Sequence, residues 1–341
     1  MKIGLMVYEV LKDQSGGYLY DRKIVEYLKD RRYEMLVYTF PFEIARIIKD
    51  DVELLIEDKL CHEDLLIFNL YLRKVFHIPV IALVHYLKYL EPGPQKEKTK
   101  EKEKEFLRTC DAVIVNSAGT SKEVEKLGIE LPTLIAYPGC DHFAPPSEFK
   151  RRPPKRFLKL LSVGNLIPGK GFHLFLDALV ELSDYPWELR IVGDETVDVH
   201  YVESLRRQAQ EFGNRVQFPG QASPKELSQI YLNSDLFILP SYFEGYGMVV
   251  AEAVLHLLPT IASRIGGIPE IIQSGREGIL VPPGDKSALK QALQDFLEHP
   301  KRLEPFIEAC ALRRPSLPTW EETGKLIENF LSRFRHGRFR A

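Results

Sequence analysis

Residues 234–272, SDLFILPSYFEGYGMVVAEAVLHLLPTIASRIGGIPEII, carry the most informative pattern in the chain. The apolar run 236–239 lies between turn-forming residues and predicts a strand buried on both faces. A loop at 240–246 follows, and residues 248–258 predict a helix that begins just after Gly247. A second apolar run comes directly after the helix. Strand, loop, helix and strand in this sequence are typical of an α/β sheet.

The start of the predicted helix offers the chemistry of an anion site. Amides in the first turn of a helix lack partners within the helix, and Gly247 has no side chain that would keep a ligand away from them. Glu244 lies in the loop before the helix, and Glu252 lies in its second turn. Amides suit a diphosphate and carboxylates suit sugar hydroxyls, so the combination predicts a sugar-nucleotide site. Solvated charges on an amphipathic helix are the plainer alternative for the two glutamates.

The segment resembles the retaining glycosyltransferases of family 4, among the group 1 glycosyl transferases. The matching residues are EGYG at 244–247, Glu252, PTIAS at 259–263 and GGIPE at 266–270. The resemblance implies an α/β protein of the GT-B fold, with two facing Rossmann-like doubly wound domains and an interdomain cleft. It also implies a metal-independent enzyme that transfers a hexose-type sugar from a nucleotide-diphosphate sugar. The acceptor, whether glycan, lipid or small molecule, is not implied.

Size and composition agree with this interpretation. The 341 residues suit two domains, and 45% hydrophobic with 28% charged residues is ordinary for a globular protein. A net charge of −2 predicts no nucleic-acid partner. The chain shows no secretory signal and no apolar run of the ~20 residues that span a bilayer. The scattered cysteines disfavour a disulfide framework and a zinc site, so we expect a cytoplasmic protein.

Alternating apolar runs and helical periodicity predict two series of strands and helices. We expect an acceptor domain at 1–145, a linker near 141–156, and a donor domain at 157–317. Residues 318–341 should form a helix that crosses back to the first domain, as the resemblance implies, and a basic tail. The predicted strands are 2–10, 34–39, 64–69, 79–85, 112–116, 133–137, 158–163, 188–192, 216–218, 236–239, 259–263 and 278–281.

Two charged stretches have bland interpretations. Residues 96–105, KEKTKEKEKE, place opposite charges at helical spacing and predict a solvated helix face. The tail at 333–340 interleaves four arginines with Phe334 and Phe339. It is interpreted either as a frayed terminus or as a weak peripheral contact with an anionic membrane surface.

The resemblance assigns roles to residues outside the central segment. His85, at the end of a predicted strand, corresponds to the family's histidine that contacts the transferred sugar. Gly16 and Gly17 correspond to the glycine loop that lies against donor phosphate and acceptor. Lys170 corresponds to the lysine that faces the diphosphate. The expected catalytic residues are therefore His85, Lys170 and Glu244.

The expected donor site adds the loop and helix start of the central segment. Glu252 should bind the ribose hydroxyls and Glu244 a hydroxyl of the transferred sugar. We expect no metal and no cofactor besides the donor substrate. A dinucleotide-binding protein is disfavoured, because no Gly-x-Gly-x-x-Gly follows the first strand. The expected donor-binding residues are Gly16, Gly17, Asn165, Lys170, Glu244, Gly245, Tyr246, Gly247, Met248 and Glu252.

Asn165 departs from the family pattern, which usually has an arginine there. An amide brings no charge, so one contribution to holding the diphosphate, worth about 2–4 kcal/mol where such donors are deleted, is weakened or supplied elsewhere. Arg264 is a candidate substitute. The departure keeps open a second function, a non-catalytic sugar-nucleotide or glycan-binding protein of the same fold. Nucleobase, sugar, acceptor and oligomeric state do not follow from the sequence.

Overall fold

The computed structural model of the protein describes residues 1–7, 16–40, 43–58, 65–143, 145, 149–151 and 157–337. The chain forms two compact units. One contains residues 1–139 and 318–341, and the other contains residues 140–317. The first unit therefore ends before the expected boundary at 145, and the described parts of the expected linker belong to the second unit.

A parallel sheet forms the centre of the first unit. Its strands are Lys2–Val7 (β1), Glu34–Thr39 (β2), Leu54–Asp58 (β3), Val80–Val84 (β4), Ala112–Val115 (β5) and Thr133–Ile135 (β6). Within the described residues they lie in the order β2-β1-β3-β4-β5-β6. The direction in which strands are added reverses between β1 and β3. Ligands of open α/β sheets bind at such a reversal, beyond the carboxyl ends of the strands.

Helices pack on this sheet and enclose two apolar clusters. Tyr20 and Ile114 belong to one cluster, and Val80 and Phe106 belong to the other. The helices are Gly16–Asp30 (α1), Ile44–Lys49 (α2), Leu66–Tyr71 (α3), which continues as a π-helical turn at Leu72–Phe76, Lys96–Arg108 (α4) and Ala118–Lys126 (α5).

The prediction of a strand at 64–69 is wrong. Within the described residues this stretch belongs to α3, and the third strand is β3. Ile67 of the stretch is 83% exposed, so its apolar character does not reflect burial in a sheet. The sequence analysis missed β3 because the strand ends in Glu57 and Asp58, and both acids are buried.

A second parallel sheet forms the centre of the other unit. Its strands are Leu158–Val163 (β7), Trp187–Val192 (β8), Val216–Gly220 (β9), Leu236–Leu239 (β10), Thr260–Ser263 (β11) and Gly278–Val281 (β12). In this part of the chain their order is β12-β11-β10-β7-β8-β9, with the reversal between β7 and β10. All six predicted strands of this unit are confirmed. Within the described residues, its α-helices are Phe172–Val180 (α6), Val199–Ala209 (α7), Pro224–Leu232 (α8), Met248–Leu255 (α9), Ile268–Ile271 (α10), Lys286–Glu298 (α11) and Leu303–Arg313 (α12).

The C-terminal helix Trp320–Leu331 (α13) is part of the first unit. Thr319 and Glu322 form a capping box at its start, which satisfies amides that have no partner within the helix. The Thr323 hydroxyl donates to the Tyr137 carbonyl over 2.6 Å. Ile327 and Phe330 of this helix complete the apolar cluster that contains Tyr20.

Residues 96–105 form part of a helix with a solvated face, as predicted, but Glu103 does not lie on that face. This residue lies on α4 and is 0% exposed. Its carboxylate accepts hydrogen bonds from the amides of Lys88, over 2.7 Å, and Tyr89, over 3.1 Å. Glu103 shares the buried side of the helix with Phe106, three residues on, which the charge pattern alone does not show.

The interpretation of the C-terminal tail needs one correction. Phe334 is 5% exposed and packs into the first unit, so it is not presented to a membrane surface. Residues 338–341 of the tail lie outside the described residues. Among the helices in the described ranges, none has the length and apolar character needed to cross a membrane.

Candidate functional site

Two loops meet at the strand reversal of the second unit. One follows β7 and the other follows β10. The Tyr242 amide donates to the Gly169 carbonyl over 2.8 Å, which ties the loops together. A side-chain carbon added to Gly169 would lie 2.4 Å from the Phe243 ring, so the close approach requires glycine. This packing fixes the positions of the side chains that the loops carry.

Lys170 and Glu244 are brought into contact by these loops. The Lys170 ammonium lies 2.6 Å from Oε1 of Glu244, and the Ser241 hydroxyl donates to the same oxygen over 2.7 Å. The two charged side chains are 21% and 9% exposed. A largely buried cation therefore adjoins an acceptor-only group, and the two charges compensate each other.

Helix α9 begins four residues after Glu244, at Met248. Gly247 precedes the helix with φ 91° and ψ 49°, a conformation that favours glycine. The first hydrogen bond of the turn runs from the Val250 amide to the Gly247 carbonyl over 2.8 Å. The amides of Met248 and Val249 precede that bond, at the positive end of the helix dipole.

Gly266 and Gly267, in the segment after β11, pack against the loop that carries Glu244. The Gly267 amide donates to the Gly245 carbonyl over 2.7 Å. Gly266 has φ +55°, and a side-chain carbon there would lie 2.1 Å from the Glu244 carbonyl oxygen. The two glycines thus let the segment after β11 approach the backbone of the loop that carries Glu244.

Glu252 lies in the second turn of α9 and is 6% exposed. The Tyr231 hydroxyl donates to its Oε2 over 3.0 Å, and Nε2 of His142 lies 3.3 Å from its Oε1. Burial, together with the Glu252 charge, raises the pKa of Tyr231 well above its usual value, which keeps that hydroxyl a donor. The sequence analysis did not single out His142. No local pattern in the sequence signals its contact with Glu252, because the two residues lie 110 positions apart.

A neutral histidine anchors the other end of α9. His256 lies 2.7 Å through Nδ1 from the Glu252 carbonyl and 2.8 Å through Nε2 from the Ser228 hydroxyl. A carbonyl only accepts, so Nδ1 carries the proton. Burial lowers the pKa of His256 to about 4, so the ring is neutral at pH 7. The Arg151 guanidinium also donates to the His256 carbonyl, and its burial lowers the pKa of Arg151 to about 10.

A second group of polar side chains lies at the strand reversal of the first unit. His85 follows β4, and its Nε2 lies 2.9 Å from Oδ1 of Asp21 on α1. The Tyr20 ring packs edge-on against the His85 ring, with centroids 5.3 Å apart. A side-chain carbon on Gly17 would lie 3.3 Å from Cδ2 of His85. Gly17 and His85, both predicted site residues, are thus adjacent, and Gly16 begins the same helix.

Comparison with known proteins gives a family match for most of the second unit. Residues 145–312 match the family model described as glycosyl transferases group 1. Among curated proteins, the chain is 25% identical over 285 residues to D-inositol 3-phosphate glycosyltransferase of Corynebacterium diphtheriae, covering 76% of this chain and 66% of that protein. It is 27% identical over 230 residues to mannosylfructose-phosphate synthase of Agrobacterium fabrum, covering 62% of this chain and 51% of that protein.

Residues 145–312 belong to the group 1 glycosyl transferases. The alignments with three similar curated relatives span only 51% to 68% of the lengths of those proteins. A solved structure of sucrose-phosphate synthase from Thermosynechococcus elongatus superposes with a TM-score of 0.80 at 21% identity, covering 97% of this chain and 98% of that one. The structure of Anabaena HepE in complex with UDP-glucose superposes with a TM-score of 0.79 at 19% identity, covering 97% of this chain and 99% of that one. The fold is GT-B, with two Rossmann-like domains.

Asn165 remains a departure from the usual pattern of this family. It lies in the loop after β7, partly exposed, and its carbonyl accepts a hydrogen bond from the Ile167 amide over 2.8 Å. Arg264, the candidate substitute, is exposed at the end of β11, and β10 lies between β11 and β7. The strand order therefore does not support the idea that Arg264 supplies the positive charge that Asn165 lacks.

One group in the described residues offers metal-ligand chemistry. Asp21, Asp58 and His85 each provide a ligand atom, and these atoms lie within 4.8 Å of one another. The sequence analysis saw no metal spacing because the three residues come from separate elements, α1, β3 and the loop after β4. Asp21 and His85 of this group are already hydrogen-bonded to each other, through Oδ1 and Nε2. The expectation of a metal-independent protein stays a prediction.

Proposed function

We propose that the protein is a retaining glycosyltransferase that moves a hexose-type sugar from a nucleotide-diphosphate sugar to an acceptor hydroxyl. The proposal is carried by the contact of Lys170 with Glu244 at the strand reversal of the second unit. A diphosphate needs a cation, and the sugar next to it needs a hydrogen-bond acceptor. In a sugar diphosphate the anionic phosphate and the sugar hydroxyls are close together. The Lys170 ammonium and the Glu244 carboxylate are correspondingly close in the protein.

The electrostatics of the Lys170–Glu244 pair favour such a donor. Glu244 now compensates the Lys170 charge at 2.6 Å. A diphosphate placed at the start of α9 would meet the Lys170 ammonium and the Met248 amide, so Lys170 would exchange one anion for another. Glu244 would then accept from a sugar hydroxyl. Glu252, one turn into the helix, would bind the ribose hydroxyls.

The reaction needs no enzymic nucleophile. The bond between the anomeric carbon and the departing phosphate oxygen breaks while a bond from the acceptor oxygen to the same carbon forms on the same face. The acceptor's proton passes to an oxygen of the departing diphosphate, so atoms and charge balance. Lys170 and the α9 amides would stabilise the negative charge that develops on the leaving group. His85 is proposed to contact the transferred sugar.

The donor site can be tested by calorimetry with UDP-glucose, GDP-glucose and ADP-glucose in the presence of EDTA. UDP-glucose is the first choice, because HepE was solved in complex with it. We expect one of the three donors to bind without added metal ion. Absence of binding by all three would refute the donor site.

The role of Lys170 can be tested by Lys170→Ala. Loss of one charged donor to the leaving group should lower kcat by about 10²–10³-fold. Lys290→Ala is a matched control, because Lys290 also pairs with a glutamate, Glu181, over 2.7 Å, but at a more exposed position. Wild-type turnover in Lys170→Ala, measured as release of nucleoside diphosphate, would show that the diphosphate binds elsewhere.

Asn165 favours a second candidate function, a non-catalytic sugar-nucleotide or glycan-binding protein. The same calorimetry, combined with donor hydrolysis and transfer assays across glycan, lipid and small-molecule acceptors, separates the two. Donor binding without turnover toward any acceptor would support the non-catalytic function. The acceptor stays a prediction for these assays. A weak peripheral contact of the basic tail at 333–340 with an anionic membrane surface also stays a prediction.

A further inference from the structure

Three residues in the first two turns of α1 lie against the His85 ring. Gly17 lies near Cδ2 of the ring, and the Tyr20 ring packs edge-on against the His85 ring with 5.3 Å between centroids. Oδ1 of Asp21 lies 2.9 Å from Nε2 of His85. Tyr20 is itself fixed, because its hydroxyl donates to the Ala136 carbonyl over 2.8 Å. Residues of one helix therefore restrict the ring's position, its tilt and the direction of one ring nitrogen.

Asp21 is the charged member of this set and is 0% exposed. An ionised carboxylate only accepts hydrogen bonds, so Nε2 of His85 must carry a proton in the contact with Oδ1. In the neutral ring, the other nitrogen, Nδ1, is then the acceptor. The Asp21 carboxylate thus selects one of the two tautomers of His85, and its position sets the ring's orientation.

Packing alone does not explain an aspartate at this position. Burying a carboxylate is costly unless hydrogen bonds compensate it. In the described residues, Oδ2 of Asp21 is buried without a hydrogen-bond partner. A charge held at such a cost is expected where it acts on a neighbouring group.

We propose that Asp21 is a positioning residue that fixes the tautomer and orientation of His85 for contact with the transferred sugar. The inference rests on the proposed function for the role of His85, whereas the tautomer itself does not depend on that function. Asp21 was not singled out from the sequence. The residues 21 and 85 meet only because α1 and the loop after β4 lie at the same edge of the sheet.

The test is Asp21→Asn, which keeps the size of the side chain. The asparagine amide can donate to Nε2, so the other tautomer becomes accessible. In protein with ¹⁵N-labelled histidine, we expect wild type to show a slowly exchanging Nε2–H of His85, assigned by its absence in His85→Gln. Asp21→Asn should lose this signal and show a mixture of tautomers. Asp30→Asn, at the exposed end of the same helix, should leave it unchanged.

Kinetics provide the second readout. With a turned-over donor, misorientation of His85 should lower kcat by about 10²-fold in Asp21→Asn. The KM for the donor should change less than kcat, because Lys170, Glu244 and Glu252, which are proposed to bind the donor, lie in the second unit and Asp21→Asn keeps the glycine pair at 16–17. A general loss of folding would instead lower the thermal midpoint and the fraction of active protein, without changing the tautomer of the folded molecules.

Two results would overturn the inference. One is an unchanged Nε2–H signal with unchanged kcat in Asp21→Asn. The other is binding of one equivalent of zinc by wild type, lost in Asp21→Asn, with displacement of the Nε2–H proton, because Asp21, Asp58 and His85 would then be metal ligands. If wild type turns over no donor, the proposed function fails, and the tautomer measurement still decides whether Asp21 sets the state of His85.

Discussion

At the scale of single residues, Glu57 links folding stability to pH. It lies fully buried on β3, where Asn69 donates to its Oε2 over 2.8 Å, and its Oε1 has no hydrogen-bond partner within the described ranges. Burial raises the pKa of Glu57 from 4.5 to about 8. Between these two values the unfolded chain releases a proton that the folded protein keeps. The contribution of Glu57 therefore becomes unfavourable as the pH rises through this window.

Glu57→Gln should remove this dependence, since glutamine matches the size and neutrality of the protonated acid. We expect the variant to gain stability relative to wild type as the pH rises from 5 to 8, at up to about 1.4 kcal/mol per pH unit. Urea unfolding at several pH values measures the difference. Glu101→Gln, at an exposed position on α4, should show no such trend. A constant offset between Glu57→Gln and wild type across this range would contradict the shifted pKa.

At the residue scale, the sequence could name Lys170 and Glu244 because each lies in a local motif. The structure brings their charged groups to 2.6 Å from each other, and their role toward the donor stays a prediction. Asp21 and His142 were missed, because their contacts join positions far apart in the chain. No periodicity or spacing shows that residues 142 and 252, or 21 and 85, will meet.

At the scale of elements, Glu103 joins α4 to the short helical turn at Lys88–Leu90. Glu103→Ala should leave the amides of Lys88 and Tyr89 without this acceptor and cost about 1–3 kcal/mol in unfolding free energy. Glu105→Ala is the matched control two residues along the same helix, where the side chain is exposed, and should stay within about 0.5 kcal/mol of wild type. Equal effects of the two substitutions would mean that Glu103 acts as an ordinary surface charge.

The strands and α4 together show which parts of the fold the sequence can predict. Buried parallel strands such as β7, β10 and β12 are short apolar runs between turn residues, and their predicted bounds are confirmed. β3 was missed because Glu57 and Asp58 interrupt its apolar pattern. In both β3 and α4, buried acids receive hydrogen bonds from distant parts of the chain, so polarity alone gives the wrong expectation for their burial.

At the scale of the whole molecule, the two ends of the chain build one unit. Residues 318–341 group with residues 1–139, while residues 140–317 form the other unit. The sequence alone supplied only an amphipathic terminal segment, and the expectation that it returns to the first domain came from family resemblance. The partners of α13 lie far earlier in the chain, as in the ion pair of Arg31 with Glu321 at 2.5 Å, and sequence periodicity carries no information on such pairs.

Gly324 tests how α13 is held in the first unit. A side-chain carbon there would lie 2.2 Å from Cγ of the Tyr27 ring on α1. Alanine raises intrinsic helix propensity by about 1 kcal/mol, yet overpacking costs about 1–3 kcal/mol, so we expect Gly324→Ala to destabilise the first unit. In hydrogen exchange, β1 and β5 should lose protection while β7 and β10 keep theirs. Tyr27→Ala should relieve the clash, and a double-mutant cycle should therefore show coupling between the two positions. Additive effects, or equal loss of protection in both units, would contradict this account of the helix contact.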